Sequence, residues 1–196
     1  MHSHFNRVEG VQFELSPEEL ARFEKLLGQQ SYFNSSYIPS YGRSFDPGEP
    51  DSIDWNNWGA STDCPVRVTH DLSQAISDLG ERLVATLKGE VQVRGQFSFT
   101  ARKSGSHDFL KAAYPHRDLI GGRFYHIAFG NPAWRLVAYE GEFSARSWND
   151  IDLLGGEESF FELGEFVGLN GLTVHGNQKK PDVEDDGSWR FFYGII

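Results

Sequence analysis

From residue 91 to the C-terminus the chain is written in short runs of alternating apolar and polar residues, each closed by a turn signal. Val91, Val93, Gly95, Phe97 and Phe99 alternate with Gln92, Arg94, Gln96, Ser98 and Thr100, the period of a strand with one polar face. Further strand-like runs fall at 123–130, 134–141, 158–168, 171–175 and 188–195. Between them stand Gly121-Gly122, Asn131-Pro132, Gly155-Gly156, Asn170-Gly171 and Asp186-Gly187, pairs that favour turn conformations. Short strands joined by turns pair antiparallel and close into a sandwich or barrel.

Ahead of this region lie two helices. Ser16 and Glu19 form a capping box, Pro17 occupies the first helical position and Gly28 ends the run, with Leu20, Phe23, Leu26 and Leu27 as the apolar stripe. A second helix is expected over 70–88, capped by Thr69 or Asp71 and stopped by Gly89. Leu72, Ala75, Ile76, Leu79, Leu83, Val84 and Leu87 recur at helical spacing and suit one face of a sheet. Residues 29–68 between the helices are rich in Ser, Gly, Pro and aromatics, which fits a lid over a site or a covering layer with short strands. The organisation expected is one α+β, mainly β domain over 1–196. Its N-terminal helices and long loop span 1–90, and its β-rich core spans 91–196.

The bulk properties narrow the function. A net charge of −10 repels phosphate backbones, so nucleic acid is not the expected partner. No apolar run reaches the ~18 residues of a membrane helix, and the N-terminus lacks the apolar stretch of a secretory signal. A cytoplasmic protein with no membrane partner is the expectation. The single cysteine, Cys64, excludes a disulfide framework, a four-cysteine zinc site and an iron–sulfur cluster held by this chain alone.

The chemistry-bearing constellation sits in the β-rich part. His116-Arg117-Asp118 precedes a Gly-Gly turn and a strand. In an extended segment residues i and i+2 project to the same side, so the His116 imidazole and the Asp118 carboxylate converge. His175 closes a three-ligand site if its strand lies beside 116–118. Two histidines and one carboxylate on one face of an octahedron leave positions for a co-substrate and O₂, the pattern of non-haem Fe(II) oxygenases. Arg190, within Trp189-Arg190-Phe191-Phe192-Tyr193, is a cation in an aromatic strand and needs an anionic partner. A bound carboxylate suits its guanidinium fork.

His-x-Asp, a distal histidine and a downstream arginine, in that order, resemble the Fe(II)/2-oxoglutarate-dependent oxygenase superfamily. The resemblance covers 91–196, and the helix start at 16–20 is similar to phytanoyl-CoA-hydroxylase-like members. It implies a double-stranded β-helix (jelly-roll or cupin-like) core with the N-terminal helices on one sheet. It also implies Fe(II) held by His116, Asp118 and His175, which are both the metal ligands and the catalytic residues. Arg190 would hold the far carboxylate of the co-substrate 2-oxoglutarate. The activity implied is oxidation of a C–H bond in a small-molecule substrate by O₂, with succinate and CO₂ released. Asp118 favours hydroxylation over halogenation, because family halogenases carry a small residue there.

Several residues have a plainer reading beside a functional one. Arg94 and Gln96 share a polar strand face that could line the interior and touch co-substrate, or face solvent. His126, inside 123–130, reads as a core or supporting histidine. Trp134 and Arg135 read as structural. Asp182, Glu184, Asp185 and Asp186 read as a solvated acidic loop. Two other functions share parts of the pattern: a redox-inactive metal cupin (isomerase, lyase or hydrolase), and a non-enzymatic β-sandwich binding module.

Overall fold

In the computed structural model the described residues are 5–29, 37–43, 69–105, 109, 113–117, 123–147 and 150–196. Both helices form where the caps place them. Helix α1 spans Pro17–Gly28, with the Ser16 hydroxyl accepting from the Glu19 amide and the Glu19 carboxylate accepting from the Ser16 amide. Helix α2 spans His70–Lys88, capped by Thr69, with Gly89 at its C-cap.

Nine strands complete the described chain: β1 Asn6–Gln12, β2 Tyr37–Arg43, β3 Phe97–Lys103, β4 Arg123–Gly130, β5 Trp134–Ser147, β6 Asp150–Phe161, β7 Glu165–Asn170, β8 Val174–Lys179 and β9 Trp189–Ile195. They make two antiparallel sheets, a larger one in the order β1-β7-β4-β9-β3-β2 and a smaller one in the order β6-β5-β8. His116 pairs with His175 as an isolated bridge, which adds a short segment to the β8 edge of the smaller sheet. The result is a mainly β fold of two antiparallel sheets, consistent with a jelly roll.

Alternation along the strands sorts side chains between two layers. Phe97, Phe99, Ala101, Ile127, Phe129, Phe191, Tyr193 and Ile195 face the helices and pack with Phe23, Leu27, Leu72, Ile76, Leu83 and Leu87. The buried Tyr193 hydroxyl donates to the Ile76 carbonyl at 2.9 Å and ties β9 to α2. The opposite face turns toward the smaller sheet, where Phe124, Val167 and Leu169 meet Leu136, Ala138 and Phe161.

Several expectations are corrected. The strand expected from Val91 begins at Phe97. The Arg94 and Gly95 amides instead bond the Ile196 carbonyl, and Gly95 turns the chain at φ +90. Gly155-Gly156 is not a turn; it lies within β6, where Gly156 faces Gly141 of β5. A Cβ on Gly141 would sit 2.3 Å from the Gly155 carbonyl oxygen, so the glycines serve a close approach between long paired strands. The run 158–168 is divided between β6 and β7 by a turn at Gly164. The strand expected at 171–175 starts at Val174 and continues to Lys179. Strand β1 was not expected, because a strand with one buried residue, Val8, shows no clear alternation. In 29–68 the described residues are Gln29 and β2, which pairs with β3; the lid reading otherwise falls outside the described residues. Among the described residues no helix is long and apolar enough to cross a membrane.

Candidate metal and carboxylate site

His116 and His175, 59 positions apart, are brought together by main-chain pairing. The His116 amide donates to the His175 carbonyl at 2.8 Å, and the His175 amide donates to the His116 carbonyl at 2.9 Å. Their ring centres lie 4.5 Å apart with planes inclined at 54°. Gly176 makes the approach possible. A Cβ at Gly176 would lie 2.6 Å from the Ala113 carbonyl oxygen and 3.1 Å from that of Tyr114, so a larger residue would push the 113–116 segment away.

The tautomers of both rings follow from their partners. His116 Nδ1 lies 2.8 Å from the Tyr114 carbonyl oxygen, and His175 Nδ1 lies 3.1 Å from that of Thr173. A carbonyl only accepts, so each Nδ1 carries the proton, and Nε2 is the nitrogen that a neutral ring would offer a metal. That is how metal-binding histidines are commonly oriented. The spacing also fits: with metal–nitrogen bonds of about 2.1 Å and ring centres about 1.1 Å further out, two imidazoles at right angles on one ion have centres about 4.5 Å apart. Asp118, the expected third ligand, lies outside the described residues. Among the described residues no three His, Cys, Asp or Glu side chains form a metal-binding group.

The interior between the sheets carries other polar groups. His175 pairs with Ala138 of β5 and Asn177 pairs with Leu136. Ala138 and Leu136 belong to the inner core, so His175 and Asn177 share the inner face. From the larger sheet, Phe124 places its ring centre 6.5 Å from that of His175. His126, two residues on, shares this face and lies 5.3 Å from the Phe192 ring centre.

Arg190 is wholly buried. Its Nη1 donates to the carbonyls of Asn131, at 3.4 Å, and of Trp134. Nε and Nη2 have no hydrogen-bond partner among the described residues. Burial pushes the guanidinium down to about 9, opposed by the negative charge of Glu162, so it remains a cation at neutral pH. Buried donors without acceptors are costly, and two on one fork suit a carboxylate.

The acidic loop is not simply solvated. Asp185 Oδ2 accepts from the Ser104 hydroxyl at 2.6 Å and the Trp134 indole at 2.9 Å. Its Oδ1 accepts from the Asn131 side-chain amide at 2.8 Å and the Gly187 amide at 3.1 Å. Burial alone would raise this carboxyl, but these hydrogen bonds outweigh it and hold the group at about 2. Asn131 and Trp134 are the residues whose carbonyls hold Arg190, so the loop braces the arginine. Arg94 is exposed ahead of β3, whereas Gln96 is half-buried and keeps the parity of Ser98 and Thr100. Asn177, on the inner face with His175, lay past the end of the strand expected at 171–175.

No family model and no curated protein matches the sequence. Among solved structures the chain is similar to IDO from Bacillus thuringiensis, with 15% identity over 98% of this chain and 89% of that one and a TM-score of 0.45. It is similar to the Fe(II)/α-ketoglutarate-dependent dioxygenase TqaL, with 9% identity over 98% and 81% of the two chains and a TM-score of 0.45. It is also similar to YcfD, a ribosomal oxygenase from Escherichia coli in complex with cobalt and 2-oxoglutarate. Identity there is 11% over 98% of this chain and 47% of that one, with a TM-score of 0.44. Likeness at this level leaves the functional argument to the residues themselves.

Proposed function

We propose that this chain is an Fe(II)/2-oxoglutarate-dependent oxygenase that oxidises a C–H bond of a small organic substrate, such as an amino-acid-derived or natural-product scaffold. The observation that carries this reading is the His116–His175 pair, its Nδ1 protons bound by backbone carbonyls, in the fold that buries the unsatisfied arginine Arg190. The strand order supports a double-stranded β-helix. The smaller sheet, extended by the bridge, runs 116-β8-β5-β6, and the larger contains β7-β4-β9-β3.

His116, His175 and Asp118 would hold the metal. The chemistry supplied there is O₂-driven oxidative decarboxylation of 2-oxoglutarate to succinate and CO₂, coupled to oxidation of the substrate. The protein's own part is positional. The carbonyls of Tyr114 and Thr173 fix the two imidazole tautomers. Arg190 binds the distal carboxylate of the co-substrate. Along β5, Trp134, whose carbonyl bonds Arg190, is four residues from Ala138, the partner of His175. That is about 13 Å of strand, a span that two inward-reaching side chains and a five-carbon diacid can cover. The apolar lining of Phe124, Leu136, Ala138 and Leu169 excludes water and strengthens the ionic contact.

The test is anaerobic addition of Fe(II) and 2-oxoglutarate, expected to give a weak visible charge-transfer band. His116→Ala is expected to abolish it, and Arg190→Gln to require far more 2-oxoglutarate. A redox-inactive metal protein or a binding module gives no band and releases no succinate, and that outcome refutes the proposal.

A further inference from the structure

Strand β5 passes the parts of the proposed site in order. Trp134, whose carbonyl holds Arg190, comes first. Ala138, the partner of His175, follows. Glu140 lies two residues further, about 7 Å along the strand. The β5–β6 register runs unbroken through 138–140. Glu140 therefore keeps the parity of Ala138, which belongs to the core between the sheets. The co-substrate of the reading above spans the stretch from Arg190 to the histidines. Glu140 stands beyond His175, on the side left for the substrate.

Glu140 is half-buried, but its Oε1 atom is shielded from solvent and has no hydrogen-bond partner among the described residues. A buried acceptor without a donor is costly, and native structures keep few of them. 2-Oxoglutarate cannot satisfy this one, because a dianion offers only acceptors. The donor has to come from another molecule.

A cavity of about 230 Å³ opens at the same place. Its lining includes Glu140, Glu142, Glu157 and Glu158 beside Leu153 and Leu154, with no Lys, Arg or His among the described residues. None of the four carboxylates forms an ion pair with a described residue. Walls of one charge sign concentrate ions of the other. The leucines, both exposed, offer contact to a hydrocarbon group, and apolar walls with a few placed polar groups are what a small-molecule site needs.

We infer that the substrate carries a cationic nitrogen, that Glu140 accepts a hydrogen bond from it, and that Leu153 and Leu154 hold its apolar part. This inference rests on the oxygenase reading above. Glu140 is then a specificity residue: it selects a basic substrate over its neutral or acidic counterpart and positions it beside the metal.

The experiment uses protein loaded with Zn(II), which is redox-inert, and 2-oxoglutarate. The probes are matched sets: phenethylamine, phenethyl alcohol and phenylacetate; hexylamine, hexanol and hexanoate. Binding is read by ligand-observed NMR. Each amine is expected to bind about tenfold tighter than its alcohol, in line with a charge-assisted hydrogen bond, and each carboxylate weakest of its set. Glu140→Gln is expected to remove the preference for the amine. Glu140→Met, which deletes the unpartnered acceptor, should melt no lower than the parent. A marked fall would show that the carboxylate serves the fold, and it would overturn the inference. If Glu140→Gln does not fold, Glu140→Met takes its place in the NMR comparison. Amines that bind no tighter than their alcohols, or a preference that survives in the variant, overturn the inference while the oxygenase reading stands. If the parent gives no charge-transfer band with Fe(II) and 2-oxoglutarate, that reading fails and the inference fails with it.

Discussion

Replacing Asp185 by alanine tests how the interior arginine is supported. The carboxylate accepts four hydrogen bonds, from Ser104, Trp134, Asn131 and Gly187. Hydrogen bonds to a charged group contribute about 1.5–3 kcal/mol each, an additive sum of roughly 6–12 kcal/mol. Two effects reduce it. Bonds that share one carboxylate are not additive, and Asp185 is only half-buried, so water replaces part of what is lost. The Trp134, Ser104 and Asn131 side chains are nevertheless buried, and their donors would be left in need of partners. The expected loss is about 3 kcal/mol, or about 6–12 °C in melting temperature for a chain of this length. Urea denaturation should show the lower midpoint with an unchanged slope. Co-substrate affinity should fall as well, because the Asn131 and Trp134 carbonyls hold Arg190. The pH dependence has a definite sign. The folded carboxyl is held at about 2, below its ordinary 3.8, so its stabilisation is complete above 3.8 and disappears as pH falls through about 2. The stability gap between the parent and Asp185→Asn should be flat from neutral pH to about 4 and narrow below that. A loss under about 0.5 kcal/mol, ordinary for a surface change, would refute the bracing role.

Other outcomes follow from the same geometry. Gly176→Ala should displace 113–116, since its Cβ would lie 2.6 Å from the Ala113 carbonyl oxygen; metal affinity measured by competition with a chelator should fall at least tenfold, the order of effect of disturbing ligand orientation. For Arg190, whose guanidinium burial pushes down to about 9, 2-oxoglutarate affinity is expected to stay flat below that pH and to decline above it as the cation is lost; titration calorimetry across pH 7–11 on the parent beside Arg190→Gln reads this, and a variant that binds as tightly as the parent at pH 7 would remove Arg190 from the binding role. His175→Ala should abolish binding of a divalent metal while leaving the helix-side core, and hence the far-UV spectrum, largely intact.

Local signals in the chain were read correctly because they act over a few residues. The Ser16–Glu19 capping box and the Thr69 cap fix both helix starts by hydrogen bonds across three residues. Alternation located β4, β9 and the first part of β5. The errors share a cause. Alternation does not show whether a backbone finds a partner, so Val91–Gln96 reads as strand although the Val91 amide bonds the Leu87 carbonyl and the Arg94, Gly95 and Gln96 amides converge on the Ile196 carbonyl. The pair Gly155-Gly156 reads as a turn although it lies within β6, where Gly156 faces Gly141 of β5. Edge strands such as β1 bury too little to leave a pattern.

The sequence by itself determined the helix boundaries, the alternating faces and the inventory of groups able to bind a metal or a carboxylate, because these depend on neighbours a few residues away. Only the tertiary structure decided that His116 lies against His175 and that Asp185 braces the residues whose carbonyls hold Arg190. Those meetings depend on which strands pair and in what register, and register is set by burial summed over both sheets.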